Sequence, residues 1–130
     1  MYNTPLGLAL SDPTTGRTAL HESCNFYRRD DTEVMEFLLE SGAKVNAVGT
    51  DGETPLFWSI LWGYQECTKV LLAAGATVNH RKNGGETPLD LALVEADGSA
   101  ARAKIVEVLE AAGGLRAADL PDDDSDDEDA

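Results

Sequence analysis

The chain has 130 residues, with 24 acidic and 10 basic side chains and a net charge of −14. This length suits one domain, and no apolar stretch reaches the ~18 residues that a membrane span needs. The carboxylate excess argues against binding to nucleic-acid phosphates or to an anionic membrane surface, both of which attract clustered Lys and Arg. The two cysteines form no C-x-x-C pair, and no basic residue occurs before Arg17 to form a secretory leader. We therefore expect a cytoplasmic protein.

Two phrases recur along the chain in the same order, which indicates an internal repeat. The first, Gly-x-Thr-(Pro/Ala)-Leu, begins at Gly16, Gly52 and Gly85. The second, Leu-Leu-x-x-Gly-Ala-x-Val-Asn, spans residues 38–46 and 71–79, and a weaker copy follows at 109–114. The copies at the centre of the chain are 33 residues apart. One such unit cannot bury its own apolar face, so the spacing predicts a stack of units.

The N-terminal part holds a partial copy and then a full unit. A helix start at Thr4-Pro5-Leu6 lies only fourteen residues before Thr18, which is too short a distance for a second helix. We predict a half repeat at about 3–13 that caps the stack, and the alternative is a truncated array. The unit at about 14–48 carries three extra residues between its helices.

The middle unit, at about 49–81, has the clearest helix signals. Thr54 can cap a helix whose first residue is Pro55, where the missing N–H costs nothing. Trp58 aligns with Leu91 and is expected in the core. The residues predicted to line this helix are Leu56, Ser59, Ile60 and Gly63.

A second helix is predicted in the same unit over residues 65–74. Its apolar face, at three- and four-residue spacing, holds Cys67, Val70, Leu71 and Ala74. Gly75 follows the helix and is expected in the left-handed C′ position, as are Gly42 and Gly113 in the other units.

The third unit, at about 82–116, carries five extra residues around 95–99 and a second helix over 101–112. Glu110 occupies the position of Leu39 and Leu72 in the other units. This polar substitution indicates a terminal unit whose outer face meets water.

The carboxylates are concentrated at the C-terminus, where residues 117–130 contain eight acids and no base. Residues 1–116 keep 16 acids and 10 bases. A run of like charges repels itself and cannot bury apolar area, so the sequence predicts a disordered acidic tail over 117–130.

The combined pattern resembles the ankyrin-repeat family, and residues 52–79 match it throughout without insertion. The resemblance extends over about 16–114. It implies an all-α solenoid in which each unit is a β-turn finger followed by two antiparallel helices. It also implies partner binding by the finger tips and by the exposed ends of the inner helices, on a concave face, in a chain that is a monomer when free.

Partner-binding residues are predicted from this resemblance. At the open ends of the inner helices, Phe26, Leu61 and Trp62 are the predicted anchors, because aromatic residues dominate interface hot spots. Asn25 and Tyr27 would extend that patch. The alternative is that these rings pack under the inserted loops. The predicted finger-tip residues are Arg17, Thr50, Asp51, Glu53, Arg81, Asn83 and Glu86.

A catalytic or metal site is not expected. His21-Glu22 begins an H-E-x-x-H motif, but Asn25 stands where the second His would bind zinc. A nucleophilic pair of His21 and Cys24 is conceivable. The resemblance instead implies that this His bonds neighbouring backbone, and Cys24 occupies a core position equivalent to Ile60 and Leu93. We expect no cofactor.

Asn46 and Asn79 occupy a repeat position that can be hydroxylated in eukaryotic ankyrins. The alternative is that their side chains hydrogen-bond the turn that leads into the next finger.

Two classes of function fit these observations. The first is a non-enzymatic interaction module that binds a protein on its concave face, as an inhibitor, adaptor or cognate protector. The alternative is an acidic decoy that mimics nucleic acid and sequesters or chaperones a basic protein. An enzyme would need a convergent catalytic set, which the sequence does not supply.

Overall fold

The structure is a computed structural model that describes residues 18–23 and 32–120. Within these ranges every regular element is a helix, and no helix there is long and apolar enough to cross a membrane. The α-helices are α1 (Ala19–Glu22), α2 (Glu33–Glu40), α3 (Pro55–Leu61), α4 (Gln65–Ala73), α5 (Pro88–Val94) and α6 (Ala100–Ala111). A 3₁₀ helix follows at Ala117–Asp119. The predicted all-α fold is confirmed, and the half repeat predicted at 3–13 lies outside the described residues.

The helices form a stack of antiparallel pairs. Within the three units, α1 packs on α2, α3 on α4, and α5 on α6. The inner helices α1, α3 and α5 also pack on one another in that order, and the outer helix α4 packs on α6. The core therefore runs along the stack between an inner and an outer row, and α3 has a helical neighbour on each side.

The predicted inward face of α3 is confirmed for Leu56, Ser59 and Ile60, which are each at most 1% exposed. Gly63 was wrongly included, because the helix ends at Leu61. In α4, Cys67 and Leu71 are buried as predicted. Ala74 is exposed, so its predicted core position is wrong. The reason is that α4 ends at Ala73 and Ala74 is its C-cap residue.

The outer helix α4 also buries a polar residue that apolar periodicity could not find. Thr68 is fully buried, and its hydroxyl donates a hydrogen bond to the carbonyl oxygen of Tyr64 at 2.8 Å. Its Oγ1 lies 2.9 Å from the hydroxyl of Ser59 on α3. This pair satisfies two hydroxyls inside the core and joins the two helices of the second unit.

Helix ends follow the predicted glycines. Gly42, Gly75 and Gly113 have φ of 102°, 100° and 92° and terminate α2, α4 and α6 in the left-handed region. The helix predicted at 101–112 begins one residue earlier, because Ser99 caps it by accepting a hydrogen bond from the N–H of Arg102 at 3.3 Å.

The two repeat asparagines connect successive units. Asn46 accepts a hydrogen bond from the N–H of Thr77 at 2.8 Å and donates one to the carbonyl oxygen of Gly75 at 3.3 Å. Asn79 bonds Leu115 and Gly113 in the same way, at 2.8 and 3.1 Å. The structural alternative for these residues is thereby confirmed.

The residues after α6 are ordered further than the charge pattern indicated. The boundary predicted at Ala117 assigned residues 117–120 to the tail, whereas Ala117–Asp119 form a 3₁₀ helix. The N–H of Ala117 donates to the carboxylate of Asp90 at 3.0 Å, and the carbonyl of Leu115 accepts from the hydroxyl of Thr87 at 2.7 Å. Residues 114–120 thus lie on the third unit much as a further finger would. Residues 121–130 lie outside the described part of the chain.

Candidate functional site

A shallow groove lies between the fingers and the inner helices of the second and third units. Its cavity volume is about 50 Å³. The lining side chains come from two fingers and from α3 and α5: Glu53, Phe57, Trp58, Leu61, Lys82 and Leu91. Four of the six are apolar, so the groove offers an apolar floor with a charged residue from each finger at its rim.

Trp58 and Trp62 do not have the contrasting positions that the alignment predicted. Trp58 was expected in the core, but it is half-buried and lines the groove. Trp62, expected to project as an anchor, is also half-buried and packs against the core. The two rings lie with centroids 6.4 Å apart at 42°. One helical turn brings them together, so each ring shields the other.

Leu61 lines the groove as predicted for a concave-face residue, and it is half-buried. Leu93, assigned to the core by its alignment with Ile60, is 43% exposed, so that assignment is wrong. Ile60 belongs to α3, which packs between α1 and α5, whereas α5 has an inner-helix neighbour on one side only among the described residues. Val94 at the end of α5 is 70% exposed.

The position three residues after the capping threonine is occupied by a different residue in each unit, and in the second unit this residue lies on the floor of the groove. In the first unit His21 accepts a hydrogen bond from the N–H of Thr18 at 3.0 Å. Its ring proton is therefore on Nε2, which donates to the carbonyl oxygen of Glu53 at 3.0 Å. His21 is 1% exposed, which confirms its structural role, and Cys24, its conceivable nucleophilic partner, lies outside the described residues.

In the third unit Asp90 takes the same place. Its carboxylate accepts hydrogen bonds from the N–H of Thr87 at 3.1 Å and from the N–H of Ala117 at 3.0 Å. Burial raises the pKa of Asp90, but these two N–H groups, the Thr87 hydroxyl and the charge of Arg116 outweigh it and hold the pKa below its ordinary value. The residue therefore links its own helix to the segment that follows.

In the second unit this position is Phe57, whose ring can hydrogen-bond neither the capping threonine nor the segment that follows. The hydroxyl of Thr54 is buried and has no hydrogen-bond partner among the described residues. Phe57 is 2% exposed, and its ring meets His80 of the next finger edge-on with centroids 6.3 Å apart. An aromatic contact is thus found where His21 and Asp90 make hydrogen bonds, and the ring contributes to the groove.

The predicted finger-tip residues fall into two groups. Thr50, Asp51 and Asn83 are exposed at the tips of the second and third fingers. Glu53, Arg81 and Glu86 are half-buried. Glu86 pairs with Lys82 at 3.4 Å. Arg81 donates to the carbonyl oxygen of Ala117 at 3.3 Å, so it holds the C-terminal segment in addition to facing the finger.

Four predicted binding residues cannot be located in the structure. Arg17, Asn25, Phe26 and Tyr27 lie outside the described residues, and their roles stay predictions.

Arg102 is a residue near the site that sequence reasoning missed. Its guanidinium donates to the carbonyl oxygens of Ile60 at 3.2 Å and Leu61 at 3.0 Å, at the C-terminal end of α3. It also pairs with Asp97 at 3.6 Å. Hydrogen bonds from Ser99 and the charge of Arg102 lower the pKa of Asp97. A positive charge at a helix C-terminus is favourable, so this contact holds the end of the groove wall. The one feature of the sequence that could have indicated this contact is the five-residue insertion before α6, and comparison of the repeats does not reveal what an insertion contacts.

Among residues 18–23 and 32–120 no group of His, Cys, Asp and Glu could hold a metal ion. Cys67 is fully buried in the core.

The comparisons with known proteins agree with the architecture. A family model described as ankyrin repeats (3 copies) matches residues 3–82 and 30–114, which together include most of the chain. A search of curated proteins gave no match. The chain belongs to the ankyrin-repeat family, whose members generally mediate protein–protein interactions and are typically non-enzymatic.

Proposed function

We propose that this chain is a non-enzymatic module that binds one protein partner in the groove between its second and third units. By occupying the partner's surface it would act as an inhibitor, an adaptor or a cognate protector of that partner. The proposed contact residues are the groove-lining Trp58 and Leu61, with Trp62 beside them and the tip residues Thr50, Asp51, Glu53, Asn83 and Glu86 at the rim.

The observation that carries this proposal is Phe57. In the neighbouring units His21 and Asp90 bond the capping threonine and the next segment. Phe57 cannot make these hydrogen bonds, and the Thr54 hydroxyl is buried without a hydrogen-bond partner in the described part of the chain. Departures from local structural rules concentrate at functional sites. What the chain gains at this position is an apolar floor for the groove.

The size of the groove favours a protein over a small molecule. Sites that enclose metabolites or drug-sized ligands have volumes of roughly 300–1,000 Å³, whereas this groove has about 50 Å³. That space accommodates the tip of one apolar side chain. A partner would therefore contact the groove with a protruding residue and rest the remainder of its surface on the finger tips and inner helices.

The alternative of an acidic decoy depends on the carboxylates of the body and of the tail together, and residues 121–130 of that tail lie outside the described part of the chain. The groove gives it no support, since its lining is mostly apolar. Salt separates the two functions: a hot-spot contact tolerates added salt, whereas polyanion binding weakens as screening increases.

Site-specific photocrosslinking in the native cell tests the proposal. A photoreactive residue in place of Leu61 should form a covalent adduct with one protein, which mass spectrometry then identifies. The same residue in place of Phe37, which is 59% exposed on the outer helix α2, is the matched control. Adducts from position 37 and none from position 61 would contradict binding in the groove.

A further inference from the structure

The tip of the third finger is a tight turn formed by Asn83 and Gly84. The N–H of Gly85 donates to the carbonyl oxygen of Lys82 at 2.7 Å, so Asn83 and Gly84 are the two central residues of a β-turn. Both are exposed. A Cβ atom added to Gly84 would meet nothing within 4 Å. Gly84 is therefore open to solvent, and the turn has room for a methyl group at this position.

Asn83 also joins the second and third fingers. Its Nδ2 donates to the carbonyl oxygen of Thr50 at 2.9 Å, and its backbone N–H donates to that of Asp51 at 3.0 Å. Gly52 passes so close that a Cβ there would lie 2.5 Å from Oδ1 of Asn83. The side-chain amide of Asn83 is thus part of the junction between the fingers.

We propose that Asn83–Gly84 is a site of spontaneous deamidation, which acts as an irreversible switch at this junction. The nitrogen of Gly84 bonds to Cγ of Asn83, the Cγ–Nδ2 bond breaks, and ammonia leaves with the proton lost by the Gly84 amide. Water then hydrolyses the succinimide at one of its two carbonyl carbons, which leaves aspartate or isoaspartate at position 83. Water is the only co-reactant, and glycine permits the ring closure because it has no Cβ.

The product would no longer hold the fingers together. A carboxylate has no N–H to donate to the carbonyl oxygen of Thr50, and it adds a negative charge beside Asp51. Isoaspartate also lengthens the main chain of the turn by one carbon. The effect on partner binding rests on the proposed function, whereas the reaction and its effect on the finger junction do not.

Asn46 and Asn79 provide internal controls. Each uses both its Oδ1 and its Nδ2 in hydrogen bonds to the next unit. They are followed by Ala47 and His80, whose side chains hinder ring closure. We expect these two asparagines to stay intact while Asn83 reacts.

The test incubates the full chain, folded, in mildly alkaline buffer and follows each asparagine by peptide mass spectrometry. We expect the mass gain of an NH₂-to-OH replacement at position 83 and at neither 46 nor 79. Gly84→Ala, which the open space tolerates, should slow the reaction several-fold. Gly52→Ala should accelerate it, because the added Cβ would lie 2.5 Å from Oδ1 and 2.6 Å from the backbone nitrogen of Asn83 and would separate this residue from Thr50.

The proposal is overturned if Asn83 of the folded chain persists for a time in which the urea-unfolded chain converts fully. Equal conversion at Asn46 or Asn79 would also overturn it, as would an unchanged rate in Gly84→Ala. Should Gly52→Ala fail to fold, the comparison between the original chain and Gly84→Ala still decides. All these readouts are masses, so they stand or fall separately from partner binding.

Discussion

The guanidinium of Arg102 donates a hydrogen bond to the carbonyl oxygen of Leu61 at 3.0 Å. The two residues belong to different units: Leu61 ends the inner helix α3, and Arg102 lies in the first turn of the outer helix α6. Gly63 makes the approach possible, because a Cβ there would lie 3.2 Å from Cζ of Arg102. Arg102, on the outer helix of the third unit, therefore fixes the C-terminal end of α3 at the groove.

Replacing Arg102 by methionine should lower the free energy of unfolding by about 2 kcal/mol, since hydrogen bonds from a charged donor contribute ~1.5–3 kcal/mol. Lys104→Met on the same helix is the control, because Lys104 forms an exposed pair with Glu107 and such pairs contribute ~0–1 kcal/mol. Urea melts measure both. The emission of Trp58 and Trp62, the only tryptophans of the chain, should shift in the folded Arg102→Met variant alone. Equal melts for both variants would contradict the anchoring role.

The two capping threonines Thr54 and Thr87 should respond differently to replacement by valine. Thr54→Val removes a buried hydroxyl that has no hydrogen-bond partner within residues 18–23 and 32–120, so stability should change by less than ~0.5 kcal/mol or increase. Thr87→Val removes a hydroxyl that bonds Leu115 and Asp90, and it should cost about 1–2 kcal/mol. Thermal melts of the two variants check this. A similar loss of stability in both would mean that the Thr54 hydroxyl does have a hydrogen-bond partner.

Asp90 should make the stability depend on pH in the acid range. Its pKa in the folded chain lies below the ordinary value of 3.8. The unfolded state therefore takes up the proton first as the pH falls, and the contribution of Asp90, complete above 3.8, is lost as the pH drops through the folded pKa. Asp90→Asn should cost about 1 kcal/mol near neutral pH, from weakened hydrogen bonds. The difference between the two proteins in urea melts should shrink in acid, and a difference that grows there would contradict this assignment.

Truncation should separate the ordered C-terminal segment from the residues beyond it. A chain that ends at Leu120 keeps every contact described for Leu115 and Ala117, so its melting temperature should match that of the full chain. A chain that ends at Gly114 loses the hydrogen bonds of these two residues to Asn79, Thr87 and Asp90. At ~0.5–1.5 kcal/mol for each bond, it should be less stable by about 2–4 kcal/mol. Identical melts for both truncations would show that the segment does not contribute.

Sequence periodicity predicted the parts of this fold that repeat. The inward face of α3 and the left-handed glycines follow from positions that recur in each unit, and Asn46 and Asn79 recur in two units. The role of His21 was implied by the family resemblance, because His, Phe and Asp occupy that position in the three units. One error, Ala74, lies in the regular middle unit, at the end of α4. Two others occur where a unit departs from the rest. Ala117 was assigned by charge alone, and Leu93 by alignment to a helix that has a neighbour on both sides.

The candidate site was predicted only in outline for the same reason. Alignment assigned Trp58 to the core and Trp62 to the surface. The exposed fraction of each ring depends instead on how far the two rings shield each other. Arg102 lies in a unit with an insertion, and its contact with Leu61 spans 41 positions in the sequence. Neither the contact between Trp58 and Trp62 nor that between Arg102 and Leu61 produces a repeating pattern in the sequence.

The affinity of the crosslinked partner for Trp58→Ala and for Trp62→Ala, measured by calorimetric titration on the folded proteins, tests the groove most directly. Trp58 lines the groove, so its loss should weaken binding by about 2 kcal/mol or more, the hot-spot range for a tryptophan, or roughly thirtyfold in Kd. Trp62→Ala should weaken it less, because Trp62 acts through its contact with Trp58. Unchanged affinity for Trp58→Ala, with the variant folded, would contradict partner binding in this groove.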